Sequence, residues 1–289
     1  MTSKTHCTIG IDLGGTKIEA ILHDGKRIKK TARVPTEDEG GYEHVLANIA
    51  TAVEAVRTPD VIAVGIGTPG YVNEGILRGC PNNPALEAKP LAADLSKKLG
   101  LPVVHENDAK LFGLAEARLG AGKGKQNVVG LIVGTGVGAG IIVDGHILRG
   151  ALGAAGEIGH APYLDKDFEF FTSGPALERM YKEAGGEKNY LSKDILKKLF
   201  ADAPAKQVRE RHRDHLARLV ATIVNTFNPD VIVFGGGVAK SIDYKKLREA
   251  VKQYALPVPF AHVKLTPFAV SDSAGAIGAA MLAREHAVH

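Results

Sequence analysis

The sequence predicts an α/β fold of two related domains with a cleft between them, on three observations. At 289 residues the chain exceeds the usual size of a single domain. A pattern of strand, glycine turn, strand and Asp-Gly turn occurs twice. Residues 9–28 slide onto 129–148 without a gap, matching Gly10 with Gly130, Gly14 with Gly134, Ile21 with Ile141 and Asp24-Gly25 with Asp144-Gly145. Finally, the apolar run Val231-Ile232-Val233-Phe234 empties directly into Gly235-Gly236-Gly237, where a ligand can lie flat against backbone.

Composition narrows the class. Hydrophobic residues at 45% and charged residues at 24% are ordinary for a globular protein. The net charge of +4 arises from 36 basic and 32 acidic residues mixed along the chain, so it is no footprint for nucleic acid, although it suits an acidic ligand such as a nucleotide. Met1–Ile9 lacks a basic-then-apolar signal region and no apolar run approaches bilayer length, so a cytoplasmic protein without membrane attachment is expected. Cys7 and Cys80 are too few for a disulfide framework or a cysteine-based zinc site.

Taken in order, Thr8–Asp12 reads as a buried strand, Leu13–Lys17 as a turn, Ile18–His23 as the return and Arg27–Val34 as a third strand. Adjacent glycines at 14 and 15 let backbone N–H groups approach another molecule, and Thr16 and Lys17 add a hydroxyl and a cation. That combination suits phosphate oxygens, with an ordinary glycine hairpin as the plain alternative. A helix is expected over Tyr42–Val56, with Val45, Leu46, Ile49, Val53 and Val56 on one face, then a strand at Val61–Gly67 and a long Gly- and Pro-rich loop, Thr68–Pro84.

The apolar run Leu101–Val104 stops at His105-Glu106-Asn107-Asp108. An acid beside an amide can serve as a general base with a hydroxyl holder, or can cap a helix starting at Ala109. Gly120–Lys125 lacks the Ser or Thr of a Walker loop and is read as a connection. Val128–Val133, the glycine turn Gly134–Gly140 and the return Ile141–Val143 repeat the opening motif. Glu157–His160 falls in a loop, and Phe168–Phe171 leads into a helix near Gly174-Pro175. A long helix, Arg209–Phe227, stops at Asn228-Pro229-Asp230, and a final helix, Ser273–Ala287, opens with small residues that allow close packing.

In this order the motifs resemble the ROK family of sugar kinases, within the hexokinase, actin and heat-shock ATPase superfamily. Asp12-Leu13-Gly14-Gly15-Thr16-Lys17 is similar to the family's first phosphate loop, Gly134-Thr135-Gly136-Val137-Gly138 to its second and Gly235-Gly236-Gly237 to its adenosine loop. Glu106-Asn107-Asp108 is similar to the catalytic segment and Gly156–His160 to the sugar-binding segment. The resemblance implies two ribonuclease H-like (actin-like ATPase) domains. One is a small domain over 1–108 joined by the C-terminal helix 274–289, and the other a larger domain over 109–273.

It also implies ATP-dependent phosphorylation of the C6 hydroxyl of a hexose, with glucose preferred and fructose or an N-acetylhexosamine as alternatives. ATP and Mg²⁺ would be the cofactors and a homodimer the assembly. Asp108 would be the base, with Gly70, Asn82, Asn107, Glu157, His160 and Glu169 at the sugar. Asp12 would hold Mg²⁺ through water or be paired structurally in its hairpin. Polyphosphate as donor stays open.

Relatives that act as repressors carry an N-terminal helix-turn-helix. Only Met1–Thr8 precede the first strand, so an enzyme is expected rather than a regulator or a silent sugar sensor. One departure stands out. Many members carry a Cys-x-Cys-Gly-x-x-Gly-Cys zinc cluster after the Gly-His pair, and Ala161–Phe168 here contains no cysteine. The expectation is no zinc, with Phe168, Phe170 and Phe171 packed inward to stiffen the sugar loop.

Overall fold

The computed structural model describes residues 6–81, 83–197 and 202–288. In chain order the elements begin with strands β1 (Cys7–Leu13), β2 (Lys17–His23) and β3 (Ile28–Pro35), helix α1 (Tyr42–Val56) and β4 (Val61–Thr68). Next come the hairpin β5 (Tyr71–Asn73) and β6 (Ile76–Arg78), α2 (Leu91–Leu99), β7 (Val103–Asn107) and α3 (Asp108–Leu119). Then follow β8 (Asn127–Val133), β9 (Val137–Val143), β10 (His146–Ile147), a 3₁₀ turn at Ile158–His160, and the small hairpin β11 (Pro162–Tyr163) and β12 (Lys166–Asp167). Helices α4 (Phe168–Thr172), α5 (Gly174–Glu183), α6 (Ser192–Leu196) and α7 (Ala203–Phe227) lead to β13 (Val231–Gly235). The chain closes with α8 (Gly236–Ala239), α9 (Tyr244–Val251), α10 (Pro257–His262), β14 (Lys264–Pro267) and α11 (Ala274–Val288).

Two compact units result. The first comprises Met1–Ala115, Arg149–Ala155 and Val270–His289, and the second Glu116–Leu148 and Gly156–Ala269. Each holds a five-stranded sheet, ordered β3-β2-β1-β4-β7 in the first and β10-β9-β8-β13-β14 in the second. In both, three antiparallel strands are followed by two parallel ones added beside the first. This is the ribonuclease H-like, actin-like ATPase arrangement, built twice, and it is the structural counterpart of the sequence repeat. The pairing registers differ by one residue. Leu13 faces Ile18 across the first glycine turn, whereas Val133 faces Val137 across the second. The second turn is therefore one residue tighter, and its return strand starts at Val137 rather than at the expected Ile141.

In the first unit, strand alternation sends the two faces of β1 to different partners. Ile9, Ile11 and Leu13 enter a core with α1 and α2, including Val45, Ile49, Val53, Leu91 and Leu95. The opposite face meets α11: Thr8 Oγ1 donates to Ala280 O at 2.9 Å, and a Cβ at Gly10 would collide with Ala276 O. Gly65 of β4 stands against Ala279 in the same way, so the small residues of both partners let helix and sheet backbones touch. In the second unit Val129, Leu131, Val133, Ile232 and Phe234 pack with Leu219, Val220, Ile223 and Val224 of α7. Helix α7 starts six residues before its expected N-terminus, capped by Asp202, and stops at Asn228 in the left-handed conformation (φ 43°).

Two further expectations need correction. The loop between β4 and Pro84 contains the β5–β6 hairpin, turned by Glu74 (φ 50°) and Gly75 (φ 78°), a Glu-Gly pair that carries little of the usual turn signal. Only two of the three phenylalanines pack inward. Phe168 and Phe171 are buried, whereas Phe170 is 37% exposed with the Arg179 guanidinium stacked 3.5 Å from its ring centre. Tyr163 takes the third place in that cluster, stacked on Phe168 at 4.4 Å and edge-on to Phe171 at 5.4 Å.

Candidate active site

In the first unit the candidate residues gather at the carboxyl ends of the parallel strands, where α/β sheets present ligands. Asp12 near the end of β1 pairs with Gly67 of β4, and Thr68 pairs with Asn107 of β7. Asp108 opens α3 directly after β7. With two strand spacings between β1 and β7, Asp12 and the Asn107-Asp108 pair stand about 10 Å apart along that edge.

The first glycine turn is closed by Gly14 N donating to Lys17 O at 3.0 Å. Thr36 braces it, donating through Oγ1 to Gly14 O at 2.7 Å and through N to Thr16 O at 3.1 Å, and the buried Asn83 reaches Gly14 O at 3.5 Å. The N–H groups of Gly15 and Thr16 have no backbone acceptor among the described residues, and Thr16 and Lys17 are exposed. Such a turn offers two amide donors, a hydroxyl and an ammonium.

Asp12 lies on the same edge, opposite Glu19 of β2. Glu19 is held by Arg33 Nε at 2.7 Å. Among the described residues Asp12 has no hydrogen-bond partner, and its carboxyl is pushed up to about 6, first by burial and then by the Glu19 charge. A carboxylate whose burial and Glu19 neighbour outweigh the nearby Lys17 charge fits a divalent cation, whose charge would restore its ionised form.

Asn107 and Asp108 both bond the first turn of α3. Asn107 Oδ1 accepts from Lys110 N at 3.1 Å, which caps α3, and its Nδ2 donates to Gly70 O at 2.8 Å. One Nδ2 hydrogen and one Oδ1 lone pair are left over. Asp108 Oδ1 accepts from Ala109 N at 2.7 Å. Beneath them Glu106 accepts from Asn107 N at 2.9 Å and from Arg149 Nε at 2.7 Å, and stands 3.6 Å from the fully buried Lys110 ammonium, which also bonds Gly153 O. This ion network fastens the 149–155 segment to the base of β7 and was not legible in the sequence. Asn82 lies outside the described residues.

In the second unit, Gly134 N donates to Gly136 O at 2.9 Å, leaving the N–H groups of Thr135 and Gly136 without a backbone acceptor among the described residues. Gly134 O accepts from Gly174 N at 2.7 Å, and Val137 N donates to Glu169 Oε2 at 2.7 Å. The third glycine run adjoins: Gly236 adopts φ 84° with no room for a Cβ against Val133 O, and a Cβ on Gly134 would stand 3.9 Å from Gly237 N. Gly236 and Gly237 open the short helix α8.

Glu157 and His160 are placed by the glycines around them. A Cβ at Gly156 (φ 97°) would strike Ala139 O, and one at Gly159 would strike Val137 O, so the segment lies flat along β9. Ala139 N donates to Gly156 O at 2.9 Å. His160 is 63% exposed, and its Nδ1 lies 3.5 Å from Asp167 Oδ2. Asp167 also caps α4 through Phe170 N at 2.8 Å; its position just ahead of Phe-Glu-Phe-Phe was the sequence signal that could have found it. Among the described residues no group of three or more His, Cys, Asp or Glu side chains is disposed to hold a metal ion.

The whole-chain comparison decides the family. The model of the ROK family matches residues 8–286. The chain belongs to the ROK family. A glucokinase of Thermotoga maritima is 34% identical to this ROK chain, covering 96% of it and 97% of the relative. An N-acetyl-D-glucosamine kinase of Mannheimia succiniciproducens is also 34% identical, covering 94% and 98%. Among solved structures, a ROK family glucokinase from Streptomyces griseus in complex with glucose and AMPPNP superposes with a TM-score of 0.79 at 30% identity, covering 96% of the ROK chain and 99% of its own.

Proposed function

We propose that this chain transfers the γ-phosphoryl group of ATP to the C6 hydroxyl of a hexose, with glucose as the first choice of acceptor. It is an ATP-dependent sugar kinase of the ROK family. The observation that carries the assignment is the edge of the first sheet, where a carboxylate at the start of α3 shares a strand end with an amide and a sheet with the glycine turn and Asp12.

Phosphoryl transfer asks the protein chiefly for positioning and charge stabilisation. Asp108 accepts the C6 hydroxyl proton as that oxygen attacks the γ-phosphorus and ADP departs. Asn107, through the hydrogen and lone pair left by the α3 cap, holds a neighbouring hydroxyl, and Gly70 fixes its amide. Glu157, His160 and Glu169 take further hydroxyls, and Asn82 joins them from the preceding loop. The amides of Gly15, Thr16, Thr135 and Gly136 serve phosphate oxygens, while Gly14 and Gly134 close the turns that expose them. Lys17 adds positive charge, and Gly235, Gly236 and Gly237 accommodate the adenosine. Asp12 would hold Mg²⁺, which when bound neutralises charge on the phosphates.

N-acetylhexosamine is the second reading, favoured by the equal identity of the N-acetyl-D-glucosamine kinase relative. A coupled ADP-release assay over glucose, mannose, fructose, N-acetylglucosamine and N-acetylmannosamine, followed by NMR of the product, tests both. A 6-phosphate with glucose turning over fastest supports the first reading, and faster turnover of an N-acetylated sugar supports the second. ADP release with none of them, above the sugar-free rate, would remove both. A cytoplasmic homodimer completes the proposal, and light scattering on the purified protein checks its assembly. Among the described residues no helix is long and apolar enough to cross a membrane.

A further inference from the structure

One carboxylate in the second unit is shared between two jobs. Glu169 Oε2 accepts the Val137 amide at 2.7 Å, a charge-assisted bond to the first residue after the glycine turn. The same oxygen leaves no slack beside the turn itself, since a Cβ on Gly136 would stand only 2.9 Å from it. Among the described residues Oε1 has no partner. The backbone beneath Glu169 is stiff. Asp167 caps the first turn of α4, Thr172 Oγ1 donates to Phe168 O at 2.7 Å, and Phe168 and Phe171 are buried on either side. A second tie, Gly174 N to Gly134 O at 2.7 Å, joins the end of the same segment to the start of the turn.

We propose that Glu169 is a positioning residue for the phosphate hairpin, bracing Gly134–Val137 through one carboxylate oxygen while the other receives a sugar hydroxyl. Sugar and nucleotide then bind cooperatively through a single side chain. The coupling half rests on the proposed role of Glu169 at the sugar; the bracing half does not. The two oxygens share one rigid plane, so a hydroxyl that fixes Oε1 also fixes the orientation of Oε2 toward Val137 N–H. By linkage, the nucleotide must tighten the sugar by the same factor.

The test uses the full chain, with AMPPNP as the nucleotide probe and glucose as the sugar, by titration calorimetry. For the unaltered protein, saturating glucose should tighten AMPPNP by about 5-fold or more, and AMPPNP should tighten glucose equally. Glu169→Gln keeps an acceptor for Val137 N–H but removes its charge. It should weaken AMPPNP several-fold without any sugar present, bring the coupling factor close to one, and move the Val137 amide proton upfield while leaving the melting temperature nearly unchanged. His160→Asn is the contrast, weakening glucose but retaining the coupling factor once glucose is saturating. If Glu169→Gln weakens glucose alone, with sugar-free AMPPNP affinity and the Val137 resonance unmoved, the bracing role is wrong. If glucose and the other hexoses fail to bind the unaltered protein, the sugar assignment falls and the coupling with it. The sugar-free arm still decides the bracing.

Discussion

At the scale of single residues, Asp12 is a carboxyl that the fold keeps ionised only at a cost in stability. Burial and the Glu19 charge push its carboxyl up to about 6 in the fold, against 3.8 for an unperturbed aspartate, so the neutral form is the one the fold prefers. The contribution to stability is full below pH 3.8 and is lost as pH rises through about 6. Asp12→Asn should therefore raise the stability of the metal-free protein by about 1–3 kcal/mol at pH 8, by about half as much at pH 5 and by almost nothing at pH 3, in denaturant titrations. The same variant should lose Mg²⁺-dependent turnover. Lys110 illustrates the opposite case, because its ammonium is buried and compensated by Glu106 and the Gly153 carbonyl. Lys110→Met leaves Glu106 short of a partner and should cost about 3 kcal/mol or more, read as a lower unfolding midpoint. Asn107 shows how far residue-level reading reached: acid beside amide was visible, and so was the helix cap. That one amide caps α3 and tethers Gly70 together depends on the approach of the β5 loop, which a linear pattern does not encode.

At the scale of elements, glycines decide where functional side chains lie. Gly156 and Gly159 rest on alternate residues of β9, so a methyl group at either lifts the segment that carries Glu157 and His160. Gly159→Ala should raise the sugar KM about 10-fold or more while the ATP KM moves little, as measured by steady-state kinetics. Next to that segment, α4 and the β11–β12 hairpin pack on two histidines of α7. His212 donates through Nε2 to Thr172 O at 2.8 Å, and His215 Nδ1 lies 3.0 Å from the Tyr163 hydroxyl. Burial lowers both, His212 to about 4. His105, bonded to Thr68 Oγ1 at 2.8 Å in the first unit, is lowered to about 4 by the same cause. Below pH 6.5 the unfolded chain takes up protons that folded His212 and His105 refuse until about pH 4, so their contribution to stability is full above 6.5 and drains away toward 4. Unfolding midpoints should fall steeply across that window, by up to about 3 kcal/mol for each of His105 and His212. His212→Gln, which can still donate to Thr172 O, should flatten the fall. Strands β1, β2, β3, β4, β8 and β13, helix α1 and the end of α7 were legible because apolar period and stop signals agree. The β5–β6 hairpin and the outward turn of Phe170 were not, since Glu-Gly is a weak turn signal and an arginine nine residues ahead supplies Phe170 with a surface partner.

At the scale of the whole molecule, the duplicated motif proved to be a duplicated sheet order, and the one-residue difference in pairing register is what an ungapped match could not reveal. Each glycine turn spends the N–H of its first glycine on closure and keeps the next two amides open, so each unit carries the same donor pattern. The family match, over residues 8–286, spans both turns. The central claim is that Asp108 removes the hydroxyl proton from a sugar bound independently of it. Asp108→Asn tests it most directly, because asparagine also tolerates the start of α3 and preserves the fold. In glucose-binding calorimetry and ADP-release kinetics on the same preparation, the account predicts a glucose Kd within a few-fold of the unaltered protein and kcat lower by about 100-fold or more. Retention of more than about a tenth of kcat, with glucose still bound, would contradict it.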